Sequence, residues 1–146
     1  MNFSSTQKAY LAGFLDGDGS IYVRLKPNGD FRYGFQIAPC IALFQSSKDR
    51  EGFKKICDMI GLGNLRERND GMLEYTIQKQ QAIREFLSKL APHLILKKEQ
   101  AELMLEILEK KSQVHCKNDF IVLAKLIDQF RSLNYSKRRK ILMLTP

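Results

Sequence analysis

Leu11-Ala12-Gly13-Phe14-Leu15-Asp16-Gly17-Asp18-Gly19 is an apolar helical stretch that runs into two carboxylates set among glycines. Ser4 or Ser5 supplies a helix N-cap, and Gln7, three residues after Ser4, matches a capping box. Gly17 and Gly19 are expected to stop the helix. Small Ala12 and Gly13 permit close approach of another helix. Asp18 falls at the helix C-terminus, where the dipole end is negative. A carboxylate there needs a compensating cation, either a basic side chain or a metal ion. A capped helix followed by an Asp-Gly turn is also a common structural arrangement, so any chemistry needs support from the rest of the chain.

Outward from this stretch, residues 21–28 read as a strand, Asn28-Gly29-Asp30 as a turn, and a second extended run reaches about Phe44. Residues 48–60 read as a helix closed by Gly61 and Gly63. Residues 64–68 and 72–78 read as two more strands, joined through Asn69-Asp70-Gly71. Helices follow over residues 81–90 and 97–111, and Asn118 is expected to cap another through Leu133. The tail carries Lys137-Arg138-Arg139-Lys140. The class is α+β, in the order αββαββα with extra C-terminal helices, and no linker divides residues 1–146, which read as one domain.

The strands share one phase. Ile21, Val23, Leu25, Phe35, Ile37, Ile41, Leu43, Leu65, Leu73, Tyr75 and Ile77 are odd-numbered; Tyr22, Arg24, Lys26, Asn28, Arg32, Gln36, Arg66, Arg68, Glu74, Thr76 and Gln78 are even. Successive strand side chains point to opposite faces. The pattern predicts an antiparallel sheet with its apolar back on helices and a polar front in solvent. Ala38, Cys40, Ala42 and Glu67 break the phase. Arg, Lys, Gln and Asn carry the donors and acceptors that read base edges in a major groove, so those even-numbered residues are the candidate contacts to double-stranded DNA. An ordinary wet sheet face is the competing explanation.

Charge points the same way. The chain holds 24 Lys plus Arg against 16 Asp plus Glu, a net +8, which suits a polyanionic partner. Cys40, Cys57 and Cys116 are odd in number and unpaired by spacing, which favours reduced thiols inside a cell and disfavours zinc. With only two histidines, His93 and His115, a metal would be held by oxygen. No apolar run suggests a membrane span or a secretory leader, and nothing suggests a small-molecule substrate.

The nine residues from Leu11 to Gly19 resemble the LAGLIDADG signature, with Phe14 and Leu15 at its variable apolar places and Gly17 replacing the usual alanine. The resemblance extends through the helix near Lys97 and is nearest to single-motif homing endonucleases of group I introns. It implies a metal held by Asp18 and the carbonyl of Gly17, a structural role for Asp16, and a water-organising Gln45. It also implies a catalytic lysine at Lys97, with Lys98 as the alternative. A further basic residue falls on Lys48 or Arg50, although Asp49 competes for the place. Leu123-Ala124-Lys125-Leu126-Ile127-Asp128 lacks the glycine and second acid and reads as an ordinary amphipathic helix. One motif per chain implies a homodimer whose motif helices meet, with Leu11, Ala12, Gly13 and Leu15 as the expected contacts.

The implied activity is a double-strand break in a long, near-palindromic target, in the service of intron homing. Bound Mg²⁺ would offset the repulsion of two Asp18 carboxylates. Mn²⁺ is expected to substitute, and Ca²⁺ to support binding without cleavage. Strands rise about 3.3 Å per residue, close to the base-pair rise of about 3.4 Å, so the two subunits would follow on the order of 20 base pairs. Family resemblance alone suggests a chloroplast or mitochondrion. An RNA maturase and a DNA binder without cleavage remain alternatives.

Overall fold

The computed structural model describes residues 2–134. The basic segment Lys137-Arg138-Arg139-Lys140 lies outside them. Helix α1 (Ser5–Asp18) starts at the expected capping box: Ser4 Oγ accepts from Gln7 N–H at 3.1 Å, and Gln7 Oε1 accepts from Ser4 N–H at 2.9 Å. It runs through Gly17 to Asp18, so Gly19 alone ends it, through an N–H donated to the Leu15 carbonyl.

Strands β1 (Gly19–Pro27) and β2 (Phe35–Ser46) form an antiparallel pair, followed by α2 (Arg50–Ile60), β3 (Asn64–Glu67) and β4 (Met72–Ile77). Helices α3 (Gln80–Leu90), α4 (Lys98–Lys111), α5 (Lys117–Asp128) and α6 (Phe130–Leu133) complete the described chain. The sheet is antiparallel throughout, in the order β1-β2-β4-β3. This is the expected αββαββα arrangement with added C-terminal helices.

The phase sets the core. Ile21, Ile41, Leu43, Leu73, Tyr75 and Ile77 are buried on the back of the sheet, against Leu11, Leu15, Phe53, Phe86 and Met104 from the helices. Strand β3, at the edge of the sheet beside β4, departs from the pattern: it is exposed throughout, Leu65 included at 37%. Pro39 lies on the half of β2 that pairs with β1 alone, where a missing backbone donor costs no second ladder.

Several boundaries differ from the sequence reading. The tight turn at Asn28-Gly29-Asp30 is a wider loop over residues 28–34, in which Asn28 Oδ1 accepts from Asp30 N–H at 3.0 Å and Gly34 adopts φ +82°. Asn28 and Arg32 are therefore loop residues, and Arg68 sits in the β3–β4 turn. Cys116, not Asn118, is the N-cap of α5, with the Asp119 carboxylate accepting from His115 N–H at 3.0 Å. The long helix expected to reach Leu133 is broken at Gln129 into α5 and α6. Leu123, Ala124 and Ile127 point into the protomer's own core, as an ordinary amphipathic helix requires.

Tyr75 fixes where β3 begins. Its buried hydroxyl accepts the N–H groups of Leu62 at 3.0 Å and Gly63 at 2.6 Å, and a Cβ on Gly63 would collide with the Thr76 carbonyl. Tyr75→Phe leaves two backbone donors without their acceptor and is expected to cost about 1–3 kcal/mol in urea unfolding. A loss within error of zero would show that the hydroxyl does not hold this turn.

Candidate active site

The last turn of a helix leaves its final carbonyls without intrahelical donors. At the end of α1 these are met one by one. Gly19 N–H serves Leu15, and Lys97 Nζ donates to the Asp16 carbonyl at 2.6 Å. Gly17's carbonyl is next in line, beside the Asp18 carboxylate. Asp18 is exposed, and among the described residues no hydrogen bond or ion pair engages its side chain. Asp16 is engaged instead: its carboxylate accepts Ile95 N–H at 2.9 Å and Lys97 N–H at 3.0 Å.

Gln45 emerges at the same end of the sheet. The register sets Gly19 opposite Leu43, so Asp18 precedes one member of that pair and Gln45 follows the other by two residues. Gln45 Oε1 accepts from Ser46 N–H at 3.0 Å. Lys97 is the N-cap of α4 rather than its first helical residue, and its ammonium reaches α1, whereas Lys98 opens the helix and is exposed. The fold thus brings Asp18, Gly17, Gln45 and Lys97 to one end of α1. Arg50 is held in an ion pair with Glu67 of β3, while Lys48 is exposed, its N–H donating to Ser46 Oγ at 3.2 Å.

Hard oxygen donors on an exposed helix end suit Mg²⁺ or Ca²⁺, which take carboxylate, carbonyl and water ligands. Among the described residues, no three His, Cys, Asp or Glu side chains cluster as a metal centre. At this helix end Asp18 is the one carboxylate left free among the described residues, so a metal held there needs further ligands from outside that set.

The expected helix contacts need correction. Leu11, Ala12 and Leu15 are buried in the protomer's own core at 1% exposure or less, so they are not free to meet another chain. Gly13 alone of the expected set is exposed, and it belongs to a different face: Ala9, Gly13 and Gly17 recur every four residues, with Tyr10 alongside, and an added Cβ at Gly13 or Gly17 would meet nothing within 4 Å. Side chains four apart share one helix face, so these small residues form a seam.

The front of the sheet is a concave groove. Tyr22, Arg24 and Lys26 of β1 line it with Gln36, Ala38 and Cys40 of β2, Asn64 and Arg66 of β3, Glu74 and Thr76 of β4, and Gln78. The phase-breaking Ala38 and Cys40 are its small-residue floor. Gln80 and Lys111 also line it, joined by a 3.2 Å hydrogen bond, and the sequence reading passed over both. Gln80 continues the even phase of β4 and was legible on that ground; Lys111, from a distant helix, was not. Asn28 and Arg68 do not line this groove but lie in turns at its ends. Arg32 is likewise outside it, stacked 5.3 Å over Tyr33 in a smaller aromatic recess that includes Lys111. Four basic side chains (Arg24, Lys26, Arg66 and Lys111) face one acid, Glu74, which Arg66 pairs at 3.1 Å.

Burial, and then the hydrogen bond with Cys40, push the Tyr22 phenol up to about 12. The difference between ultraviolet titrations of the parent and Tyr22→Phe should accordingly show a phenolate midpoint near pH 12. A midpoint near the ordinary value of 10 would show that the groove floor is open to water.

Comparison with known proteins agrees with this geometry. The profile of the LAGLIDADG endonuclease family matches residues 11–102. The chain is 36% identical over 132 residues to DNA endonuclease I-CreI of Chlamydomonas reinhardtii, covering 90% of this chain and 80% of the relative. It is 34% identical over 142 residues to DNA endonuclease I-CvuI of Chlorella vulgaris, covering 97% and 88%. Crystal structures of I-CvuI, one with the I-CreI target and Mg and one with its own target and Ca, superpose with a TM-score of 0.86 at 33% identity, covering 94% of this chain and 87% of theirs.

Proposed function

Since the chain belongs to the LAGLIDADG endonuclease family, we propose that it is a site-specific, divalent-metal-dependent DNA endonuclease that works as a homodimer. It makes a double-strand break in a long, near-palindromic target and serves group I intron homing. The observation that carries the reading is the exposed Asp18 at the end of α1, which no described residue engages, on the helix that leads directly into a strand of the basic, amide-rich groove. Relatives from Chlamydomonas reinhardtii and Chlorella vulgaris support a place in a chloroplast or mitochondrion. No helix among the described residues is long and apolar enough to cross a membrane.

The groove side chains bind the DNA. Arg24, Lys26 and Arg66 present donors, Gln36, Gln78 and Asn64 both donors and acceptors, and Glu74 and Thr76 complete the edge-reading set. Asn28, Arg32 and Arg68, at the loop ends, meet the flanks of the target. Strand β1 has nine residues and β2 twelve, enough to follow about one turn of duplex per subunit. A two-fold axis through the Ala9–Gly13–Gly17 seam brings a second Asp18 beside the first and makes the target near-palindromic.

Asp18 and the Gly17 carbonyl hold the divalent ion, which supplies a polarised water and charge neutralisation at the phosphate. Gln45 orients water through its amide, and the Lys97 ammonium stabilises negative charge developing on the phosphate. Lys48, free of the ion pair that occupies Arg50, supplies the additional cation. Mg²⁺ is the working ion, Mn²⁺ substitutes, and Ca²⁺ supports binding without cutting.

Asp18→Asn is expected to bind its target in Ca²⁺ within a few-fold of the parent and to cut it at least about 1,000-fold more slowly in Mg²⁺. Cutting near the parental rate would remove Asp18 from the metal site. Sedimentation of the parent should show a dimer, and a stable monomer on DNA would contradict the shared site.

A further inference from the structure

Asp16 holds Lys97 at both ends. Its Oδ1 accepts Lys97 N–H at 3.0 Å, its Oδ2 accepts Ile95 N–H at 2.9 Å, and its backbone carbonyl accepts the Lys97 ammonium at 2.6 Å. Ile95 and Lys97 lie 79 and 81 positions after Asp16 in the sequence. Lys97 precedes α4 with φ −113° and ψ 20°, outside the helical ladder, so its N–H has no helical acceptor of its own. Leu94 anchors the incoming segment in the core, but Ile95 and Leu96 are 83% and 72% exposed, too little buried to fix Lys97 by packing. The Asp16 carboxylate is the fastener between Leu94 and the start of α4.

We propose that Asp16 is a positioning residue for DNA cleavage, acting through Lys97. The inference rests on the reading of Lys97 as the cation that works on the cleaved phosphate. Three consecutive residues then divide the end of α1 between two cations: Asp16 places the lysine, while Gly17 and Asp18 place the metal ion. A carboxylate that accepts two backbone N–H groups makes charge-assisted bonds, stronger than neutral ones. The clip sets the lysine relative to the metal ligands before DNA arrives, and displacements of about 1 Å in such groups cost up to about 100-fold in rate.

Asp16→Asn keeps one acceptor oxygen and turns the other toward a backbone donor as an amide NH₂, so half of the clip is lost. Single-turnover cleavage in Mg²⁺ and target affinity in Ca²⁺ would be measured for the parent, Asp16→Asn, Lys97→Met and the double variant. Asp16→Ser, which retains one acceptor without a charge, replaces Asp16→Asn if that variant does not fold. The expected result is a cleavage rate about 10-fold lower for Asp16→Asn, affinity within about 2-fold, and a double variant no slower than Lys97→Met alone. Losses that multiply in the double variant, or parental cleavage by Asp16→Asn, overturn the positioning role while leaving the reading of Lys97 intact. Parental cleavage by Lys97→Met instead overturns that reading, and the inference with it.

Discussion

The constraint on which the rest depends is the negative end of helix α1. Its last turn presents uncapped carbonyls and two carboxylates, with no basic residue of its own to balance them. A lysine from the far end of the family-matching segment serves the first of these carbonyls. Among the described residues no cation pairs with the Asp18 carboxylate, which stands exposed one residue after Gly17. An arrangement that is electrostatically poor for a folded helix is a good one for holding a divalent ion against DNA phosphate.

The sheet puts that helix end to use. Because β1 leaves α1 at Gly19 without a loop, the direction of the helix and the start of the groove are coupled by one peptide. The apolar odd positions press the sheet onto α1 and α3, and the even positions turn outward as the groove. Ala38 and Cys40 keep the centre of the groove low, while Lys111 and Gln80 reach in from the helical layer at its margin. The groove and the helix end are thus adjacent parts of one unit, as the proposed division between recognition and chemistry requires.

Much of this was legible in the sequence because period-2 alternation and the capping box are local signals. Tyr22, Arg24, Lys26, Gln36, Arg66, Glu74, Thr76 and Gln78 reach the groove as the phase predicts. The wider loop over residues 28–34 was hidden because Arg32 continues the even count even where no strand exists. The helix seam was misassigned for a different reason: Ala12 and Gly13 are both small, and size does not say which way a residue points. The four-residue recurrence of Ala9, Gly13 and Gly17 does, and the buried Leu11, Ala12 and Leu15 lie on the other side. The Asp16 clip depends on contacts some 80 residues distant and leaves no local trace.

The central claim is that this groove and helix end select a DNA sequence and cut it. Its most direct test is to incubate the protein with a library of near-palindromic duplexes, once in Mg²⁺ and once in Ca²⁺, and to sequence the cut and the retained molecules. One family of symmetric sites is expected, cut on both strands in Mg²⁺ and retained intact in Ca²⁺. Specific retention with no cutting in either ion would contradict the enzyme and leave a DNA-binding protein, and no selective retention at all would contradict the whole reading of the sheet face.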